Sequence, residues 1–544
     1  MKLIEQKSYY NGRFLLMKKF LLLLTILLLN VVVAEKGDCV GGYPDGCTSI
    51  MIGKKASDDG SVITSHTCDS HRTRAWFDIT PSKKHKKNQM LEMLKREKDD
   101  SFAMPTYKYE PVGNIPQVRK TNRYINTAYP CMNEYQLAIG ESTFGGRESL
   151  CEPDKGIIDC QQLVRLMLER CKTAREAIKM ADELTKKYGY NDYGETLTIS
   201  DPKEAWFFEI VGPGKGNVGA IWAAQRVPDG HIAVSANGSR LRKIEMDNPD
   251  YYMYSKNLHK VAIDSGWWNP EDSEFEFCYA YSPKSRTSFA TRRREWRVFD
   301  LLAPSLKLDA NAENYPFSIK PDTLVTIGKL TEVFRDYYQN TPYDFSAILT
   351  QVDDDGKTII SPFANPFMPY DMNKLFRING GWGWRGERQI ARWYTMYATI
   401  TQSRDWLPDE IGGVTWIALD NVATSVYIPV WCSVTDVAKP YKTPSRTKGF
   451  TRESAWWGFN RLSTLTAQRF RDIYPWVLHE MDSVQTVIYG QQGKIEQKAL
   501  SLYKKSPKKA QTYLTQYTIK QGNLMHKKAW EMGDQIWTDY DEKF

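Results

Sequence analysis

The chain has 544 residues, enough for a large core in one domain with additions or in two or three domains. Its 17 Trp, 31 Tyr and 21 Phe, without a long polar low-complexity tract, describe a folded protein rather than a disordered one. The formal charge of +8 is modest for this size, and the basic runs at 83–87 and 504–509 come with no recognition motif, which argues against nucleic-acid binding.

From the start of the chain, Lys18 and Lys19 precede an apolar run over 20–34 broken by Thr25 and Asn30, ending in the small-residue pattern Val32-Val33-Ala34. This is the layout of a secretion signal (1–34) cut after Ala34, and the run is short for a membrane span. Residues 1–16 read as an upstream extension, with Met17 as an alternative start. The expectation is an exported protein, periplasmic or extracellular, with no stable membrane span after signal removal. An exported compartment permits disulfides, and Cys131, Cys151, Cys160 and Cys171 are near enough in sequence to pair. Nine cysteines leave at least one thiol unpaired in a monomer. No C-x-x-C or zinc spacing occurs, and His66 and His71 flank Asp69 without a third ligand, so no metal or other cofactor is expected.

Cys47 opens the short strand pattern Cys47-Thr48-Ser49-Ile50-Met51-Ile52-Gly53. A cysteine placed to become a new N-terminus carries a thiol nucleophile and an α-amine base on one residue. That amine titrates near pH 8, so it can take up the thiol's proton around neutrality. The pattern points to amide hydrolysis by an N-terminal nucleophile; the other reading is an ordinary buried or disulfide-bonded cysteine. A turn at 54–60 containing Ser57-Asp58-Asp59-Gly60 leads into a returning strand at 61–66. The hairpin brings Asp69 alongside Cys47, where a carboxylate would orient the amine; taken alone, Asp69 is a turn or cap residue.

Further along, a strand pair is expected near 124–127 and 134–140. A helix over 159–171 has an apolar face through Leu163, Leu166 and Met167, and the capping box Thr173-Ala174-Arg175-Glu176 opens another toward Tyr188-Gly189. Strands follow at 195–200, 205–211, 219–227 and, after the Pro228-Asp229-Gly230 turn, 231–236. Asn237 comes next; its side-chain NH₂ could donate to an oxyanion, although an Asn-Gly after a strand is most often a turn. The cluster Arg292-Arg293-Arg294-Glu295-Trp296-Arg297 could supply a substrate-binding cation, with Arg294 the candidate, or be a charged helix face. Late strands lie within 411–432, and from 451 the pattern is helical nearly to the end. Strands, then helices, then strands describe a layered α+β fold with antiparallel sheets rather than a doubly wound parallel one. Gly140-Glu141-Ser142-Thr143-Phe144 lacks the last glycine of a nucleophile elbow, and no phosphate-cradling loop is present.

Residues 47–61, Cys47-Thr48-Ser49-Ile50-Met51-Ile52-Gly53 and onward to Ser61, resemble the mature N-terminus of bacterial dipeptidases of the peptidase family U34 type, relatives of secernins. The block Tyr129-Pro130-Cys131-Met132-Asn133-Glu134-Tyr135-Gln136-Leu137-Ala138-Ile139-Gly140-Glu141-Ser142-Thr143 is the most specific signature. Asp201-Pro202-Lys203-Glu204-Ala205-Trp206, Gln225 to His231, Ala236-Asn237 and Leu419 to Tyr427 continue it. The resemblance implies a four-layered αββα N-terminal-nucleophile hydrolase domain over 47–440, with a C-terminal helical extension over 441–544. It also implies cysteine-type dipeptidase activity, with Cys47 exposed by removing a propeptide (35–46) between Gly46 and Cys47. Related enzymes, including those acting on bile-salt amides, carry Arg-Asn-x-Asp where this chain has His66-Thr67-Cys68-Asp69, so His66 joins Arg294 as a substrate-binding candidate. The implied partner is a dipeptide or small peptide, and a homo-oligomer is compatible. Two alternatives stand beside this: an amidohydrolase for N-acyl amino acids or penicillin-type amides on the same fold, and an inactive exported binding protein.

Overall fold

The computed structural model describes residues 46–70, 72–99, 106–151, 154–366, 388–445 and 449–544, all within one compact unit. The expected secretion signal, Met17, the cut after Ala34 and segment 35–45 lie outside the described residues, as does His71. Two antiparallel sheets form the core. The first orders its strands Ser318–Ile319, Ile232–Ser235, Gly46–Ile52, Val62–Asp69, Thr395–Ser403, Val414–Leu419 and Ile428–Trp431. The second runs Tyr252–Tyr254, Ile221–Val227, Ala205–Val211, Gly194–Ser200, Ala138–Gly145, Met132–Asn133, Tyr124–Asn126 and Asp78–Thr80. This is the α+β class that the order of sequence patterns predicts.

The expected first hairpin forms and extends further than its apolar pattern. Cys47 faces Cys68 and Gly46 faces Asp69 across the ladder. Its turn is closed by Asp59, whose Oδ1 accepts from the Ser61 backbone N–H at 3.0 Å, and Gly60 takes φ +82°, a conformation glycine adopts without a Cβ clash. The strands read as apolar runs because both faces are covered. On Ala205–Val211, Phe207 meets Phe317 beside the first sheet, whereas Trp206 lies under Arg175 of the helix Ala174–Tyr188. Neighbouring Trp222 donates to Asp182 of that helix at 2.9 Å. On Val414–Leu419, Thr415 reaches Met132 of the second sheet, and Trp416 packs edge-on against Tyr489 of the helix Phe470–Tyr503. Trp431 meets Tyr517 of the helix Pro507–Tyr540, which completes the apolar seam beneath the C-terminal helices.

Between the sheets the packing is partly polar. Thr64 pairs with Thr198 at 2.7 Å, and the Ser49 hydroxyl donates to the Glu141 carbonyl at 2.7 Å. The sheets approach so closely at Gly140 that a Cβ there would sit 2.4 Å from the Ser65 carbonyl oxygen. The helix Cys160–Arg170 is capped by Asp159, and Thr173 accepts from the Glu176 N–H as its capping box predicts. Cys131, Cys160 and Cys171, which the sequence allowed to pair, are buried thiols. A long arm that the sequence pattern did not announce, Met90–Asp99 paired with Thr106–Pro116, follows the first basic run. No helix among the described residues is long and apolar enough to cross a membrane.

Candidate active site

Because Cys47 is the second residue of its strand, its side chain enters the polar seam between the sheets and is 4 % exposed. The Cys47 thiol donates to Glu141 Oε2 at 3.1 Å, and His66 Nε2 lies 3.3 Å from both Sγ and that oxygen. Three atoms from three strands therefore enclose one small space. His66 is wedged edge-on between Tyr129 and Tyr397, which fixes its ring. Among the described residues, Cys47, His66 and Glu141 are the one His/Cys/Asp/Glu group whose donor atoms could share a metal ion.

Charge in this seam is unevenly held. Burial pushes the Cys47 thiol well above its ordinary range, and the charges of Glu141, Cys68 and Asp69 push the same way, so the thiol is neutral. Burial alone would raise Glu141, but hydrogen bonds from His66 and Glu195 and the His66 charge outweigh it and bring the carboxyl down to about 2. Glu195 is driven well upward by burial and by Glu141. Thr143 Oγ1 lies between them, 2.9 Å from Glu141 Oε1 and 3.0 Å from Glu195 Oε1. The two acids thus hold one negative charge and one proton.

The backbone of Cys47 is gripped from the other side. Its N–H donates to Asn237 Oδ1 at 3.1 Å, and its carbonyl accepts from Arg294 at 2.7 Å. Asn237, at φ +58°, also donates its side-chain NH₂ to the Thr143 carbonyl at 2.7 Å. The same Oδ1 accepts from Arg294 at 2.9 Å and from Arg388 at 2.5 Å. Arg388 continues to Asp69, whose other oxygen accepts from Thr395 at 2.6 Å. A Cβ on Gly46 would lie 2.8 Å from both the Arg388 guanidinium and Asn237 Oδ1, so glycine is the residue that fits before Cys47.

All the residues singled out from sequence thus converge here, with particular orientations. Asn237 turns its oxygen, not its NH₂, toward the Cys47 nitrogen. Asp69 reaches that nitrogen only through Arg388 and Asn237. His66 contacts the thiol itself. Arg294 is buried inside the helix Phe289–Leu302, its donors filled by Ala290, Cys47, Thr48, Ala236 and Asn237, and burial followed by repulsion from Arg388 lowers it to about 9. Glu141, Glu195, Thr395 and Arg388 were not identified from sequence. Glu141 had a signal, since it is a charge inside an apolar strand and within the most specific signature block; Arg388 had none.

A family model described as peptidase family C69 matches residues 46–481, beginning one residue before Cys47. The chain is 26% identical over 407 residues to a protein named probable dipeptidase B from Lactococcus lactis subsp. lactis (strain IL1403), covering 73% of this chain and 76% of that one. It is 23% identical over 438 residues to a probable dipeptidase from Latilactobacillus sakei, covering 78% and 81%. It is likewise 23% identical over 431 residues to dipeptidase A from Lactobacillus helveticus, again covering 78% and 81%.

Proposed function

This chain belongs to peptidase family C69, and from that premise we propose that it is an exported cysteine-type dipeptidase working as a four-layered αββα N-terminal-nucleophile hydrolase. The two stacked sheets with helices packed on each outer face support the layered arrangement. The apolar run at 20–34 supports export. The relatives' names support dipeptides as substrates. The observation that carries the reading is Cys47 itself, with its thiol against His66 and Glu141 and its nitrogen against Asn237.

Removal of the chain up to Gly46 converts the Cys47 peptide nitrogen into an α-amine. Asn237 Oδ1 already holds that nitrogen, with Arg388 and Asp69 fixing the amide behind it. The amine takes the thiol proton, and the thiolate adds to the carbonyl carbon of the substrate's peptide bond. The second N–H of the Asn237 amide, backbone N–H groups and the Arg388 guanidinium stabilise the oxyanion. The protonated amine then gives its proton to the leaving nitrogen, and water cleaves the thioester to release the N-terminal amino acid. His66 and Glu141 keep the thiol protonated and positioned while the nitrogen is still a peptide nitrogen.

N-terminal sequencing with intact mass of the protein recovered after export tests this. A chain beginning at Cys47 is expected; a chain beginning at Glu35 would leave the thiol without its amine base and overturn the mechanism.

A further inference from the structure

Both side chains that the sequence offered for substrate binding are committed elsewhere. His66 lies on the thiol, and Arg294 has its donors filled by backbone and side-chain oxygens beneath the nucleophile. A substrate carboxylate therefore needs another receptor, and a cavity of about 440 Å³ beside the Cys47 hairpin has the composition of one. Among the described residues its charged lining is Arg72, Arg74 and Arg165, and no described carboxylate lines it. Trp76, Tyr107 and Tyr109 supply aromatic wall.

We infer that this cavity is the subsite for the leaving half of the substrate: its arginines take the free C-terminal carboxylate of a dipeptide, and its aromatic wall takes a large apolar or aromatic C-terminal side chain. The inference rests on the dipeptidase reading above and adds which end of the substrate is recognised, and by what.

Position supports the assignment as well as composition. Thr73 in the cavity wall lies 3.4 Å from the Cys68 thiol, and Cys68 is the cross-strand partner of Cys47. Directly opposed residues in a ladder stand about 5 Å apart. On the other wall, Ala128 and Pro130 flank Tyr129, whose ring meets His66 edge-on at 5.5 Å. The two residues that neighbour the thiol, Cys68 and His66, thus touch a residue of the cavity wall or the ring beside it. Arg74 stacks over Trp76 at 5.0 Å and pairs with the partly exposed Asp78, while the nearest Glu169 oxygen stands 3.8 Å from Arg165. Arg74 and Arg165 are thus held in place by neighbouring groups, Arg165 with no carboxylate oxygen nearer than 3.8 Å among the described residues.

The test is steady-state kinetics of the processed full-length protein on alanyl-phenylalanine and on its C-terminal amide. The wild type should prefer the free acid. Loss of one charge-assisted contact in Arg74→Ala or Arg165→Gln should raise KM for the acid about ten- to a hundredfold and leave kinetics on the amide within about twofold. Arg74 also ties Trp76 and Asp78, so Arg165→Gln decides the matter if Arg74→Ala does not fold. Equal use of acid and amide by the wild type, or an unchanged KM for the acid in folded Arg165→Gln, overturns the subsite and leaves the dipeptidase reading intact. Failure of the wild type to cleave either compound overturns both.

Discussion

Among the buried acids of the described residues, two groups are neutralised in opposite ways. Behind the Cys47 carbonyl, Glu295 sits between Arg240 at 2.5 Å and Arg286 at 2.8 Å, with all three side chains almost wholly shielded. Burial alone would raise Glu295, but the two arginines outweigh it and hold the carboxyl below its ordinary value. In the seam between the sheets, Glu141 and Glu195 have a thiol, an imidazole and a hydroxyl for company. Arginine charges are permanent, so the first cluster is a fixed joint between the helix Phe289–Leu302 and the sheet. The second is balanced by protons that can move. Buried ion pairs alone do not mark function, since structural networks shift titration too; a carboxylate balanced by transferable protons beside a nucleophile does.

The contrast breaks most sharply at Cys47. Cys47→Ala should lower dipeptide hydrolysis on the order of 10⁴-fold or more without lowering the melting temperature. Glu141→Gln keeps the shape but removes the ion that anchors the thiol and His66. Its turnover should fall on the order of 10²–10⁴-fold, measured on chain shown by mass to begin at Cys47. Glu295→Ala belongs to the other cluster and should do the reverse. Leaving Arg240 and Arg286 buried without their acid should cost about 3–5 kcal/mol of stability in urea unfolding, with kcat of the folded protein retained. A Glu295 variant that is stable but inactive would erase the distinction.

What was legible in the sequence follows the same division. The hairpin from Cys47, the strands from 194 to 235 and the capped helices were visible because local pattern and turn chemistry agree with the fold. The arm Met90–Asp99 with Thr106–Pro116 was missed because its residues are largely polar and half exposed on both faces, so no alternation marks it. The arginine cluster allowed a charged helix face, yet Arg292, Arg293, Arg294 and Arg297 are all buried. Their partners, Asp336 for Arg297 and the Cys47 strand for Arg294, lie far away in the chain. The site divides likewise: Cys47 and Asp69 share one hairpin and could be paired by reading, whereas Glu141 and Arg388 come from elements that only the tertiary fold brings in.

Glu209 supplies the smallest and most discriminating effect, because it is the one acid of the arginine-bound cluster that the arginines do not fully hold. It accepts from the Ser239 hydroxyl at 2.5 Å and the Arg240 backbone N–H at 2.6 Å. Burial nevertheless outweighs these bonds and pushes it from 4.5 up to about 7. A carboxyl raised in the folded state stabilises the fold through its proton. That contribution is complete below pH 4.5 and is lost as pH climbs to about 7. The gap corresponds to on the order of 3 kcal/mol. Glu209→Gln carries no such proton, so its stability relative to wild type should rise by about that much between pH 4.5 and 7, read from urea unfolding at several pH values. Activity should be unchanged, since no transferable proton near the thiol is touched. A constant stability difference across the window would mean that Arg240 and Arg286 already neutralise Glu209, making the cluster as fixed at Glu209 as it is at Glu295.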